Sequence, residues 1–155
     1  MSNEEKFSNK EIKDLNKLMK FCSEQERSEY DVRSKTKKMG ISEDTSEKFI
    51  NYLIENDFLN DKRFAELFVN SRIFNKKWGK IKVRNALYNK NITEELINET
   101  LNKIPEERYH QIFQEVLNKK YKEVGNKPNA KKKLFDFLMQ RGFESKLIVE
   151  AIERL

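Results

Sequence analysis

The chain has 155 residues, 37% hydrophobic and 37% charged, with four glycines and two prolines, which bounds it to one or two domains and favours helices over a deep α/β core. A mean hydropathy of −0.90 and apolar runs of only a few residues exclude a helix long enough to span a bilayer, and residues 1–10 lack the apolar core of a signal peptide. The net charge of +6 favours anionic partners, and a lone Cys22, unable to form an internal disulfide, fits a cytoplasmic protein.

In chain order, a polar stretch over 1–10 reads as a flexible N-terminus. Ile12, Leu15, Leu18, Met19 and Cys22 then fall at three-and-four spacing and predict an amphipathic helix. Ser28-Glu29-Tyr30-Asp31 resembles a capping box, with Asp in place of Glu, and opens a helix over 28–39. Gly40 sits where that helix stops, and Ser42 caps the next one, whose inner face carries Ser46, Phe49, Ile50 and Leu53.

Asn60 and Asp61 precede a helix whose predicted buried face is Phe64, Leu67 and Phe68, and either residue can cap it. Phe58 lies in position for a staple-like contact. Arg63 is a cation at a helix start, an unfavourable place that calls for an acidic partner such as Asp57 or Asp61, or for an external anion. A helix over 79–90 follows, with Ile81, Val83, Ala86 and Leu87 as core candidates and Gly79 offering unobstructed backbone amides to an anion. If that helix extends back, Lys77, Lys80 and Arg84 share one side. Trp78 either stacks on a base or packs within the fold. Asn91 is the next stop and Thr93 the next cap; Pro105-Glu106-Glu107 opens a long helix bearing Tyr109, Ile112, Phe113, Val116, Leu117 and Tyr121. After Val124-Gly125-Asn126-Lys127-Pro128, helices are predicted over 129–141 and again after Gly142, the latter carrying Leu147, Ile148, Ala151 and Ile152.

These elements repeat. Met39-Gly40-Ile41, Lys90-Asn91-Ile92 and Arg141-Gly142-Phe143 are spaced by 51 residues, and Val32, Val83 and Leu134 stand eight positions upstream of the Gly or Asn in each. A shared register implies a shared packing solution. The expected fold is all-α: three tandem three-helix repeats over 11–60, 61–104 and 105–155, forming an elongated, curved array.

Charge is distributed unevenly over these repeats. Residues 1–60 carry 11 basic and 13 acidic side chains, residues 61–104 carry 10 and 5, and residues 105–155 carry 11 and 8. Between Glu66 and Glu94 no acid occurs, while Arg72, Lys76, Lys77, Lys80, Lys82, Arg84 and Lys90 do. A run of one sign attracts and steers polyanions, although a basic run is also simply a solvated helix face. Catalytic chemistry has little to stand on. His110 is the only histidine and has no partner at metal spacing, Cys22 lies on an apolar stripe, and no phosphate-binding glycine loop is present. No enzymatic activity, no cofactor and no metal are expected.

The stretch Phe58-Leu59-Asn60-Asp61-Lys62-Arg63-Phe64-Ala65, followed by Arg72, Gly79, Ile81, Leu87 and Asn91-Ile92, resembles the central signature of the RecX family. The likeness is strongest over 27–92 and continues to Leu155. Asp57 and Asn91 stand where the family usually has glycine, and Asn60 where it usually has Asp; all three substitutes suit left-handed or capping backbone. The resemblance implies a monomeric, helical regulator that binds RecA and the RecA–DNA filament and inhibits recombinase, ATPase and co-protease activity, with direct binding of single- or double-stranded DNA as an alternative. On the residues, Arg63, Arg72, Lys76, Lys77, Lys80, Lys82 and Arg84 are the contact candidates. Phe58, Asn60, Asp61, Phe64, Ala65, Gly79, Ile81 and Leu87 are the structural residues of the signature.

Overall fold

The structure, a computed structural model, describes residues 7–155. Among them nine α-helices follow one another with no strand: α1 (Asn9–Glu24), α2 (Glu29–Lys38), α3 (Glu43–Glu55), α4 (Asp61–Asn70), α5 (Lys80–Tyr88), α6 (Glu94–Asn102), α7 (Glu106–Val124), α8 (Ala130–Gln140) and α9 (Ser145–Glu153). A π-helical turn, Ser71–Asn75, continues α4. The chain is an all-α helical repeat. It separates into two compact units, Met1–Phe64 and Ala65–Leu155, so the six helices from α4 to α9 are held largely in one body.

The three helix stops share one backbone solution. Gly40, Asn91 and Gly142 all take positive φ, at 75°, 59° and 91°. The following amides of Ile41, Ile92 and Phe143 reach back to the carbonyls of Thr36, Leu87 and Leu138 at 3.0, 3.2 and 3.2 Å. This six-to-one bond closes orphan carbonyls at each helix end and turns an apolar residue inward. Asp57, at φ 62°, does the same for α3, with Phe58 N–H bonded to Leu53 O at 2.8 Å.

The first unit is built around Leu15, Leu18, Val32, Phe49, Ile50, Leu53 and Leu59, with Phe58 packed against them. Of the flexible segment expected over 1–10, residues 1–6 lie outside the described residues, and the remainder departs from that expectation. Phe7 is buried, its ring 5.5 Å from that of Phe49. Ser8 forms a full capping box with Glu11, which starts α1 at Asn9. Ser28 and Asp31 make the second capping box, each side chain accepting from the other's backbone amide. This repeat also carries a polar exchange in its core. Thr36 and Ser46 occupy the register held by Leu87 and Ile97 and by Leu138 and Ile148, and their buried hydroxyls bond each other at 2.8 Å. Thr36 spends its proton on Arg33 O at 2.9 Å, so Ser46 donates the shared bond and is spared the cost of an unpaired buried hydroxyl.

In the second unit, Val69, Ile73, Val83, Leu87, Ile97 and Leu101 form the core of α4–α6, and Phe113, Leu134, Leu138, Phe143 and Ile148 that of α7–α9. Two expectations fail here. The inner face of α4 is Phe64, Ala65 and Val69, and Leu67 is 57% exposed; burial follows positions i, i+1 and i+5, a face turned from the one predicted. Ile81 is 41% exposed, because Val83 and Leu87 take the inner row of α5.

The two three-helix groups of this unit meet through two glycines. A Cβ built on Gly79 would stand 2.2 Å from the carbonyl carbon and oxygen of Gly142, and one on Gly142 2.3 Å from Lys82 Cβ. Backbone meets backbone, which only glycine permits. The first amides of α5 are therefore spent internally. Gly79 N–H donates to Arg141 O at 2.7 Å, Ile81 N–H to Gly142 O at 3.0 Å, and Lys80 N–H to the Tyr109 hydroxyl at 3.0 Å. The anion site expected at Gly79 is thus taken by the protein's own carbonyls.

Candidate functional site

The acid-free run is shaped by the chain between α4 and α5. The π-turn closes with Lys76 N–H on Ser71 O, and Trp78 N–H returns to Arg72 O at 2.9 Å. Lys77 holds a positive φ of 57°, uncommon for a long side chain. The Arg141 guanidinium supports that kink by donating to the carbonyls of Lys76 and Lys77 at 2.6 and 3.0 Å. The result places Trp78 at a corner where α4 and α5 both present side chains.

Four of those side chains form a cluster. The Phe68 and Trp78 rings meet edge-to-face at 6.5 Å. The Arg72 guanidinium lies 4.5 Å from the Phe68 centroid and 5.4 Å from that of Trp78, and Lys82 Nζ sits 4.3 Å from the Trp78 centroid. Trp78, Arg72 and Lys82 are half-buried, and Lys76 beside them is exposed. Cations over aromatic faces are attracted by the ring quadrupole, yet they keep their charge.

The structure sorts the predicted contact residues by what neutralises them. Arg63, half-exposed, is paired within its own unit: Nε donates to Glu26 Oε1 at 2.6 Å, Nη1 to Asp57 Oδ1 at 3.1 Å and Nη2 to Asp57 O at 3.0 Å. Its partners answer the question its position raised, and they make it a brace within the first unit. Lys77 lies outside α5, which begins at Lys80, so the predicted Lys77–Lys80–Arg84 row does not form on one helix. Lys77 instead pairs with Glu115 at 2.9 Å. Together with Arg141, Lys119, Lys120 and Phe137, these two residues line a cavity of about 210 Å³. Arg84 donates to the neutral Asn98 Oδ1 at 2.7 Å, and Lys80 Nζ lies 4.6 Å from the Tyr109 centroid. Among the described residues, Arg72, Lys76, Lys80, Lys82 and Arg84 have no carboxylate within ion-pair distance. Arg72 and Lys82, with Lys76 two residues before Trp78, stand at the aromatic corner, whereas Lys80 and Arg84 share the other side of α5, against Tyr109 and Asn98. Uncompensated charges of one sign can hold an anionic polymer.

The signature residues sit beneath this face and in the first unit. Asn60 caps α4, accepting from Arg63 N–H at 3.0 Å. Asp61 reaches another helix, accepting from Glu29 N–H, the first amide of α2, at 2.8 Å. Glu29 and Lys80 are in register 51 residues apart, so Asp61 does for α2 what the Tyr109 hydroxyl does for α5. Burial pushes the Asp61 carboxyl above the usual aspartate range, the Glu29 amide pulls it back, and Asp31 adds to the rise. Phe64, Ala65 and Leu87 are buried. Tyr109 donates to Glu144 in turn, and burial with that bond pushes its phenol far up, so it stays a neutral donor and acceptor. Burial also raises the Cys22 thiol to about 11, which suits packing and not nucleophilic attack. Sequence reasoning missed Phe68, whose place on the α4 stripe reads as core, and Arg141, whose role depends on carbonyls more than sixty residues away.

Two family models match the chain: the second three-helix domain of RecX over residues 60–101 and the third over 106–152. The regulatory protein RecX of Prosthecochloris aestuarii is 30% identical over 147 residues, covering 92% of this chain and 93% of that protein. That of Clostridium acetobutylicum is 30% identical over 145 residues, covering 90% of the chain and 67% of the relative, and that of Clostridium tetani 30% over 136 residues, covering 85% and 62%. The chain thus spans about two thirds of the length of these clostridial relatives. Two crystal structures share the fold: a regulatory protein RecX with TM-score 0.83 at 23% identity, covering 94% of this chain and 72% of the other, and RecX from Lactobacillus salivarius with TM-score 0.82 at 21%, covering 96% and 100%.

Proposed function

Because this chain belongs to the RecX family, we propose that it is a regulatory protein that binds RecA and the RecA–DNA filament and inhibits its recombinase, ATPase and co-protease activities by stoichiometric contact. The observation that carries this reading beyond family membership is the run Arg72, Lys76, Lys80, Lys82 and Arg84, none within ion-pair distance of a carboxylate among the described residues, with Arg72 and Lys82 gathered at Trp78. A regulator of a protein–DNA filament meets DNA phosphates as well as protein, and a run of one charge sign favours that encounter and its orientation.

The test is DNA-dependent ATP hydrolysis by the cognate RecA, with this protein titrated in. Inhibition that saturates at a fixed ratio of protein to RecA supports the reading. Unchanged hydrolysis, strand exchange and filament length refute it. The same face supports a second reading, competition for single-stranded DNA. There, replacing Arg72, Lys80 and Lys82 by Ala abolishes inhibition and DNA binding together. Inhibition that outlasts the loss of DNA binding assigns the effect to RecA itself.

A further inference from the structure

Trp78 is the single tryptophan of the chain, and it is held at a half-open corner between two cations and not in the core. A large apolar ring kept at the surface wants a flat partner, and a cation kept beside it without a carboxylate wants an anion. One class of ligand carries both at a fixed short spacing: a single strand of nucleic acid, with an open base face next to each phosphate. A duplex hides its base faces inside the stack, and an acidic peptide satisfies the cations but leaves the ring as it was.

We infer that the Phe68–Trp78 corner is a base-stacking site for single-stranded nucleic acid, in which one base lies on the Trp78 indole and Arg72, Lys76 and Lys82 take the flanking phosphates. This rests on and deepens the reading above, since it names the single strand as the component this face touches. Lys82 Nζ occupies the ring face at 4.3 Å in the free protein. A base stacked on the ring replaces this half-buried cation–π contact, and the displaced ammonium gains a phosphate in exchange, so the base displaces the ammonium. Arg72 stays on Phe68 at 4.5 Å; Nη1 donates to Ser71 Oγ at 3.2 Å, and Nε and Nη2 are left for a second phosphate. Phe68, edge-on to Trp78, fixes the ring that the base must find. The amides of Gly79, Lys80 and Ile81 are not open to this site, because they are already bonded to Arg141 O, the Tyr109 hydroxyl and Gly142 O.

The experiment titrates the full chain, without RecA, with oligothymidylate, with an abasic oligonucleotide of equal length and with polyglutamate, reading Trp78 emission and the anisotropy of a labelled strand. Oligothymidylate is expected to quench Trp78 and to bind on the order of tenfold more tightly than the abasic strand. The slope of log K against log salt is expected to be about −2 for the three cations, at about −0.7 each, and shallower by about that step in Lys82→Ala. Trp78→Leu is expected to lose the preference for bases while keeping its affinity for the abasic strand, and Trp78→Phe to recover part of it. Equal affinity for the two strands, an unquenched Trp78 at saturation, or polyglutamate binding as tightly as oligothymidylate overturns the inference. None of these measurements contains RecA, so the loss of the regulator reading and the loss of this site are told apart.

Discussion

Replacing Gly79 by Ala adds one methyl group where the structure leaves no room for it. The Gly79 backbone, at φ −76° and ψ 162°, suits alanine, so the conformation itself is not strained. The new Cβ would lie 2.2 Å from Gly142 C and O and 2.3 Å from Phe143 N, all backbone atoms that cannot rotate away. Either the overlap is retained at about 1–3 kcal/mol, or the helices part and the bonds of Gly79 N–H and Ile81 N–H are weakened at about 0.5–1.5 kcal/mol each. Alanine also narrows the unfolded ensemble, which returns about 0.4–1 kcal/mol. The net expectation is a loss of about 1–2 kcal/mol. Gly40→Ala is the control: nothing lies within 4 Å of its Cβ, and only a φ of +75° opposes it, at about 1–2 kcal/mol before the same return. Urea unfolding followed by helical circular dichroism compares the two variants, and Trp78 emission follows the second unit by itself. If Gly79→Ala costs no more than Gly40→Ala, the close approach does not hold that unit together.

Arg63→Ala is expected to destabilise the first unit by about 1–3 kcal/mol, because Glu26 loses the partner of its Oε1 while its Oε2 is already buried without one; binding to oligonucleotide should not change, and a variant that binds more weakly at full stability would return Arg63 to the contact surface. Thr36→Val strands the Ser46 hydroxyl, whereas in Ser46→Ala Thr36 keeps its bond to Arg33 O; the double variant should be more stable than the two losses summed, by about 1 kcal/mol in a denaturation cycle, and strict additivity would refute the pairing. Asp61→Asn keeps an acceptor for the Glu29 amide and removes a buried charge. A carboxyl whose folded-state pKa is raised contributes stability below its ordinary pKa and loses it as pH rises through the folded value. The Asn variant is therefore expected to gain on the parent at pH 7 and to lose that gain as pH falls to about 4; a urea midpoint advantage that grows on acidification would contradict this.

Much of the fold was legible because its rules are local. The stops at Gly40, Asn91 and Gly142 and the caps at Ser28, Ser42 and Thr93 each depend on residues within six positions, and the structure places them as the spacing implied. What could not be read depends on contacts far apart in the chain. Nothing near Leu67 says that α4 presents Ala65 inward, and nothing near Gly79 says that its amide meets Arg141. The basic face was visible as an acid-free run, but not its membership: Arg63 and Lys77 are removed from it by Glu26, Asp57 and Glu115, which lie 6 to 38 positions away. Trp78 was singled out, yet only the π-turn and the kink at Lys77 decide that it stands at a corner with Arg72 and Lys82.

Helix starts ordinarily exchange their amide hydrogens fast, since the first-turn donors face water. The start of α5 is an exception, with the amides of Gly79, Lys80 and Ile81 bonded to Arg141 O, the Tyr109 hydroxyl and Gly142 O. Deuterium uptake at these three positions is therefore governed by α5 separating from the start of α7 and the α8–α9 corner, and fraying of α5 alone does not release them. The three amides act as a clock for that opening, one that any ligand bridging α5 and the α8–α9 corner would slow and that Gly79→Ala would speed.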